Sequence, residues 1–300
     1  MIPFLNYDSP RDLRQFLESR KLGMRKMYGQ NFLINGDARR RLLDALEAGR
    51  GDAVWEIGPG IGAMTAGLLE RGALVTAFEI DRGFCAVLRE FFGAYPGFTL
   101  IEGDALKTWP ESREAGDYLF GNLPYNAGAA LLADFIERKK YFKRMVVTVQ
   151  KEVARRMAAK PGSKDYSSFS LLCASSYRVT LLPVLKGASF YPEPRVDSQG
   201  VRLDLVPGGE AVPYPGCFFP LVRRLFSSRR KTLRNTLKTF IEESGVRAAA
   251  GASAREIAEE ALASAGINGG ERPERFGAGE LGALAGALER LLGTGNRRGG

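Results

Sequence analysis

Between residues 52 and 81 short apolar runs alternate with a glycine-rich break. An apolar run ends at Ile57, GPGIG follows, a helix-patterned stretch continues to about Arg71, and a second apolar run ends at Glu79. This succession predicts strand, loop, helix and strand. The pattern recurs in FTLIEGDA (98–105), with an acidic residue at its end, in DYLFGNLPY (117–125) and in the β-branched run MVVTVQKEV (145–153), which leads into a helical stretch. Short buried strands alternating with helices predict an α/β fold whose sheet is mostly parallel and covered by helices on both faces.

Around this core, residues 37–48 read as an amphipathic helix introduced by GQNFLING. Residues 168–185 read as a helix followed by a strand, and 198–206 as another strand. FYPEPRVDS (190–198) carries two prolines and predicts an extended surface loop. From 207 the composition changes: PGGEAVPYPG reads as a linker, and helices are expected over 218–228, 231–244, 253–265 and 279–292. The tail GTGNRRGG is expected to lack fixed structure.

With 300 residues, 45% of them hydrophobic, the chain can bury a substantial core. No run reaches the roughly 20 apolar residues of a membrane helix, and the N-terminus lacks a secretory pattern, so the expected location is the cytoplasm. The three cysteines, Cys85, Cys173 and Cys217, are widely spaced and form no CxxC pair, so neither a disulfide framework nor a metal site is expected. Histidine is absent, which removes the usual general base and every Ser/His/Asp or Cys/His arrangement. The net charge of +9 points to a polyanionic partner. Its distribution is more telling, because Tyr214 to Ile241 contains no acidic residue but holds Arg223, Arg224, Arg229, Arg230, Lys231, Arg234 and Lys238. That block reads as a nucleic-acid footprint, against the plainer alternative of a solvated helix face.

In open α/β sheets ligands bind beyond the carboxyl ends of the strands. Four candidates fall there: the loop Gly58, Gly60, Gly62; Glu79; Asp104; and Asn122. The loop alone is ambiguous, since GxGxxA with an acid 21 positions on also fits a dinucleotide fingerprint. Glu79 suits the two ribose hydroxyls, and Asp104 an adenine amino group. Neither acid demands a phosphate and the loop has no lysine, so a zwitterionic, phosphate-free cofactor such as S-adenosylmethionine fits better than NAD.

The stretch NLPY then acquires a chemical purpose. An exocyclic adenine amine is a poor nucleophile because its lone pair is delocalised into the ring. The Asn122 side-chain oxygen and a carbonyl near Leu123 could accept from its two N–H groups and stabilise the charge that develops during methyl transfer. Pro124 would brace those acceptors. Tyr125 would offer a face for an unstacked base.

Together these motifs resemble the ribosomal small-subunit RNA adenine dimethyltransferases. The resemblance covers nearly the whole chain: RKMYGQNFL (25–33), EIGPGIGAMT (56–65), EID (79–81), GDA (103–105), NLPYN (122–126), QKEV (150–153), FYPEPRVDS (190–198) and SSRRKTLRNTL (227–237). It implies a Rossmann-like S-adenosylmethionine-dependent methyltransferase domain over 1–207 and a smaller, all-helical RNA- or ribosome-binding domain over 208–300. It further implies cofactor contacts from Asn31, Leu33, Gly58, Glu79, Asp104 and Asn122, with Gln30 adjacent and Gly60 in the loop. Asn122 to Tyr125 would position the target adenine, with Phe190 as second stacking partner. Arg223, Arg224, Arg229, Arg230, Lys231 and Arg234 would contact RNA. The implied reaction is dimethylation of N6 on two adjacent adenosines near the 3′ end of 16S rRNA, in the small (30S) subunit. Nothing demands a metal, a membrane or more than a monomer. The dozen or so added N-terminal residues touch no motif. Two rivals are a 23S rRNA dimethylase of the antibiotic-resistance type and a non-catalytic RNA-binding assembly protein. RRKTLRN with the later ERPERFGAGEL argues against the first, and intact cofactor residues against the second.

Overall fold

The computed structural model describes residues 5–23, 31–123, 128–208, 214–228, 230–244 and 252–293. Gln30, Pro124, Tyr125, Arg229, the C-terminal tail and the middle of the expected linker lie outside them. In chain order the elements are α1 (Pro10–Ser19), β1 (Phe32–Leu33), α2 (Gly36–Leu46), β2 (Ala53–Ile57), α3 (Ala63–Glu70), β3 (Leu74–Glu79), α4 (Arg82–Phe92), β4 (Phe98–Glu102), α5 (Ala105–Thr108), β5 (Tyr118–Asn122), α6 (Gly128–Glu137), β6 (Arg144–Gln150), α7 (Lys151–Met157), α8 (Ser168–Ser176), β7 (Tyr177–Leu185), β8 (Phe190–Tyr191), β9 (Ser198–Leu205), α9 (Phe218–Ser227), α10 (Leu233–Ser244), α11 (Ala254–Ser264) and α12 (Ala278–Leu292).

The chain divides into two compact units, one of residues 1–155 with 177–206, the other of 156–176 with 207–300. The first is built on a seven-stranded sheet of order β4-β3-β2-β5-β6-β9-β7. The five strands from β4 to β6 are mutually parallel, and β9 runs antiparallel to both β6 and β7. The order reverses between β2 and β5, which creates the crevice where such sheets take ligands. β2 is buried on both faces, with the burial of Trp55 and Val54 nearly complete, which explains why its sequence AVWEI does not alternate and is apolar except at Glu56.

Three features differ from expectation. First, residues 5–22 are an integral part of the unit. Ser9 caps α1 by accepting from the Asp12 N–H, Pro10 occupies its first turn, and Leu13 and Leu17 bury into a cluster with Phe84, Leu88 and Phe91. The Tyr7 hydroxyl donates to the Ile61 carbonyl at 3.1 Å, so this segment does touch the glycine loop. Second, FYPEPRVDS is not surface loop throughout. Its first two residues pair antiparallel with β1, Phe190 opposite Leu33 and Tyr191 opposite Phe32, while residues from Pro192 to Val196 are the more exposed part. Third, the boundary at 207 is only one of three, because 156–176 leaves the first unit and the chain returns to it at 177. Tyr166 and Leu171 belong to the core of the second, where the Tyr166 hydroxyl also donates to the Phe276 carbonyl at 3.0 Å.

The second unit is helical, as expected. Leu221, Leu225, Leu233, Leu237, Leu284 and Leu288 form its centre. Tyr214 stacks on Phe218 with ring centroids 4.0 Å apart. Ser253 and Glu256 close a capping box at the start of α11.

Candidate functional site

The glycine loop leaves β2 at the switch point and enters α3. Gly60 and Gly62 have φ of +59° and +86°, and a Cβ on Gly62 would stand 2.3 Å from the Phe92 ring. Only glycine satisfies both the backbone and the packing there. The loop closes over Glu79: the Gly60 N–H donates to one carboxylate oxygen at 3.0 Å and the Asp81 N–H to the other at 2.8 Å. Each oxygen keeps a lone pair for a ligand hydroxyl.

A cleft opens at this point. Asn31, Phe32 and Leu33 line it from β1 and the residue before it, Glu56, Gly58 and Gly60 from β2 and the loop, Glu79 and Ile80 from the end of β3, and Asn122 and Thr148 from β5 and β6. Thus Asn31, Leu33, Gly58, Gly60, Glu79 and Asn122, expected from the sequence to act together, surround one cavity. Asp104 does not line it. It sits half-buried after β4, where its carboxylate accepts from the Leu106 N–H and caps α5.

Asn122 ends β5 in register with Thr148. Its Nδ2 donates to the Asn31 carbonyl at 2.8 Å, and its Oδ1 accepts from the Thr148 hydroxyl. The Leu123 N–H donates to the Thr148 carbonyl at 3.1 Å, continuing the strand pairing one residue beyond β5.

Sequence reasoning missed Glu56 and Thr148. Glu56 is 2% exposed, lines the cleft and accepts from the Thr65 hydroxyl at 2.7 Å. Burial pushes its carboxyl up to about 8 against the pull of the Thr65 bond, and the neighbouring Glu79 charge adds to the rise. Burial likewise raises Glu79 to about 7, opposed by the N–H groups of Asp81 and Gly60. An acid one residue short of the GPG turn, inside an otherwise apolar strand, was the available signal for Glu56. Thr148 had none, because a threonine in a β-branched run reads as packing.

Phe190, expected to stack on the target base, is 3% exposed and packs with Leu33, Leu42 and Leu185. The β1–β8 pairing is the cause, since it turns residue 190 inward. In the basic block, Arg223, Arg230 and Lys231 are exposed. Arg224 is forked onto Glu243 at 2.7 and 3.0 Å, and Arg234 pairs with Glu259 at 2.5 Å, so these two guanidinium groups already hold internal partners.

Residues 22–264 match the family of ribosomal RNA adenine dimethylases. The ribosomal RNA small subunit methyltransferase A of Treponema denticola is 42% identical over 80% of this chain and 84% of its own length. The protein of the same name from Treponema pallidum is 42% identical over 96% and 99%. Among solved structures, a dimethyladenosine transferase from Plasmodium falciparum superposes with a TM-score of 0.73 at 25% identity, covering 83% of this chain and 94% of that one. The 23S rRNA methyltransferase ErmE shares the fold, with a TM-score of 0.58 at 20% identity over 86% and 99%.

Proposed function

Because this chain belongs to the ribosomal RNA adenine dimethylase family, we propose that it dimethylates N6 of two adjacent adenosines near the 3′ end of 16S rRNA, within the small ribosomal subunit, using S-adenosylmethionine. The observation that carries the reading is the Asn122 carboxamide, held from both ends at the carboxyl end of β5, beside the glycine loop of β2. The small-subunit names of both Treponema relatives favour the 16S target, whereas the likeness to ErmE concerns the fold alone.

The lining of the cleft suits such a cofactor. Among its described residues the charged side chains are two carboxylates, Glu56 and Glu79, and no lysine or arginine is present to bind a phosphate. In this reading Gly58 and Gly60 let the backbone approach the ligand, Glu79 accepts from the ribose hydroxyls, and Asp104 accepts from the cofactor's adenine through the lone pairs that the α5 cap leaves free. Asn31 and Leu33 close the cleft from β1, with Gln30 preceding them. S-adenosylmethionine supplies a methyl group made electrophilic by its positively charged sulfur.

The chain's own contribution is to the nucleophile. Asn122 Oδ1 and the Leu123 carbonyl accept from the two N–H groups of the target amine, which favours a pyramidal nitrogen with its lone pair available. The methyl group would pass to N6 with the C–S electron pair left on sulfur, and the surplus proton on N6 would leave to water. No imidazole is needed. Pro124 braces the acceptors and Tyr125 offers the base a stacking face. The helical unit supplies RNA affinity through exposed cations such as Arg223, Arg230 and Lys231, and Arg229 belongs to the same block. Arg224 and Arg234 contribute less while their carboxylate partners hold them.

Incubating the protein with methyl-labelled S-adenosylmethionine and unmethylated small subunits tests the reading. Label is expected in 16S rRNA and released as N6,N6-dimethyladenosine on digestion; label only in 23S rRNA would contradict it.

A further inference from the structure

An asparagine carboxamide can present either its oxygen or its NH2 group in a given direction, and its neighbours decide which. For Asn122 they decide from both ends. The Asn31 main-chain carbonyl can only accept, so the group facing it at 2.8 Å is Nδ2. At the other end the Thr148 hydroxyl donates to Oδ1. Thr148 lies directly across the β5–β6 ladder from Asn122, is 1% exposed and lines the same cleft.

We infer that Thr148 is a positioning residue for methyl transfer: its hydroxyl locks the Asn122 carboxamide in the orientation that presents oxygen, not N–H, to the target amine. This rests on the acceptor role proposed for Asn122. A flipped carboxamide would set its oxygen against the Asn31 carbonyl and offer N–H groups to a substrate group that itself donates. The Asn31 contact fixes one end of the amide but leaves its plane free to rock. The Thr148 bond, made from the adjoining strand, removes that freedom. Oδ1 has two acceptor sites, so one remains for the substrate while Thr148 occupies the other. Donation to Oδ1 also polarises the amide and strengthens its Nδ2 bond to Asn31.

Valine is nearly isosteric with threonine and equally suited to a buried strand, whereas serine keeps the hydroxyl and loses the methyl. The two substitutions therefore separate positioning from packing. In the full-length protein, turnover on unmethylated small subunits, S-adenosylmethionine affinity by calorimetry and melting temperature are compared for Thr148→Val, Thr148→Ser and Asn122→Ala. Thr148→Val is expected to lower kcat by about 10- to 100-fold, with cofactor affinity within about twofold and melting nearly unchanged. Thr148→Ser is expected to regain most of that loss. If Thr148→Val turns over like wild type while Asn122→Ala does not, the positioning role is wrong and the acceptor reading stands. If Asn122→Ala itself turns over normally, the acceptor reading is wrong. A Thr148→Ser variant as slow as Thr148→Val, or a Thr148→Val loss that follows cofactor affinity or melting temperature, would reduce Thr148 to packing and overturn the inference.

Discussion

Glu56 shows what a functional cleft costs a fold. Its carboxyl is raised to about 8 by burial, so between about pH 4.5 and pH 8 the folded chain holds a proton that the unfolded chain has released. The slope of stability with pH is therefore negative across that window. Glu79, raised to about 7, acts in the same direction. The ligand-free protein is expected to melt progressively lower as pH rises from 5 to 8, and Glu56→Gln to flatten that decline and melt higher than wild type at pH 8. Thermal melts of both proteins across the range check it, and parallel curves would contradict it. At Asn122 the prediction concerns catalysis. Asn122→Ala removes one acceptor and should lower turnover by at least about 100-fold while S-adenosylmethionine binding remains measurable. Turnover and calorimetry on the same preparation check it. Asn122 was legible in the sequence because an amide, a proline and an aromatic at a strand end make chemical sense together. Its partners were not, because the Asn31 carbonyl is 91 residues away and the Thr148 hydroxyl 26, and only the folded sheet brings them to it.

Elements carry the next set of differences. The strand ends were readable, since a glycine loop or an acid after an apolar run marks where a parallel strand delivers its side chains. The N-terminal helix also left local signals that the motif reading passed over: Ser9 before Pro10, with Leu13 and Leu17 one turn apart. Leu13 is 1% exposed among Phe84, Leu88 and Phe91, so Leu13→Ala should cost about 2–5 kcal/mol in denaturant unfolding. A cost near zero would mean that α1 does not belong to the folded unit. The burial of Phe190 was not legible, for another reason. A phenylalanine beside two prolines looks exposed, and its burial depends on pairing between two-residue strands that lie nearly 160 positions apart. Periodicity has no hold on elements so short.

Across the whole molecule, the change from an α/β unit to a helical one was legible from the composition change near 207. Recruitment of 156–176 into the helical unit was not, because it rests on where Tyr166 and Leu171 find their neighbours. Ion pairs such as Arg224–Glu243 and Arg234–Glu259 likewise do not show in a linear charge count. Neutralising Arg230 and Lys231 should make RNA affinity fall less steeply with salt, lowering the slope of log K against log salt by about 2. Arg224→Gln, whose guanidinium is already engaged by Glu243, should change the slope less. Filter binding across a salt series distinguishes the two cases, and equal slopes would contradict the assignment. The central claim is tested most directly by mapping, at nucleotide resolution, the methyl groups that the protein adds to unmethylated small subunits. Two adjacent N6,N6-dimethyladenosines near the 3′ end of 16S rRNA are expected, and modification elsewhere or none at all would contradict the account.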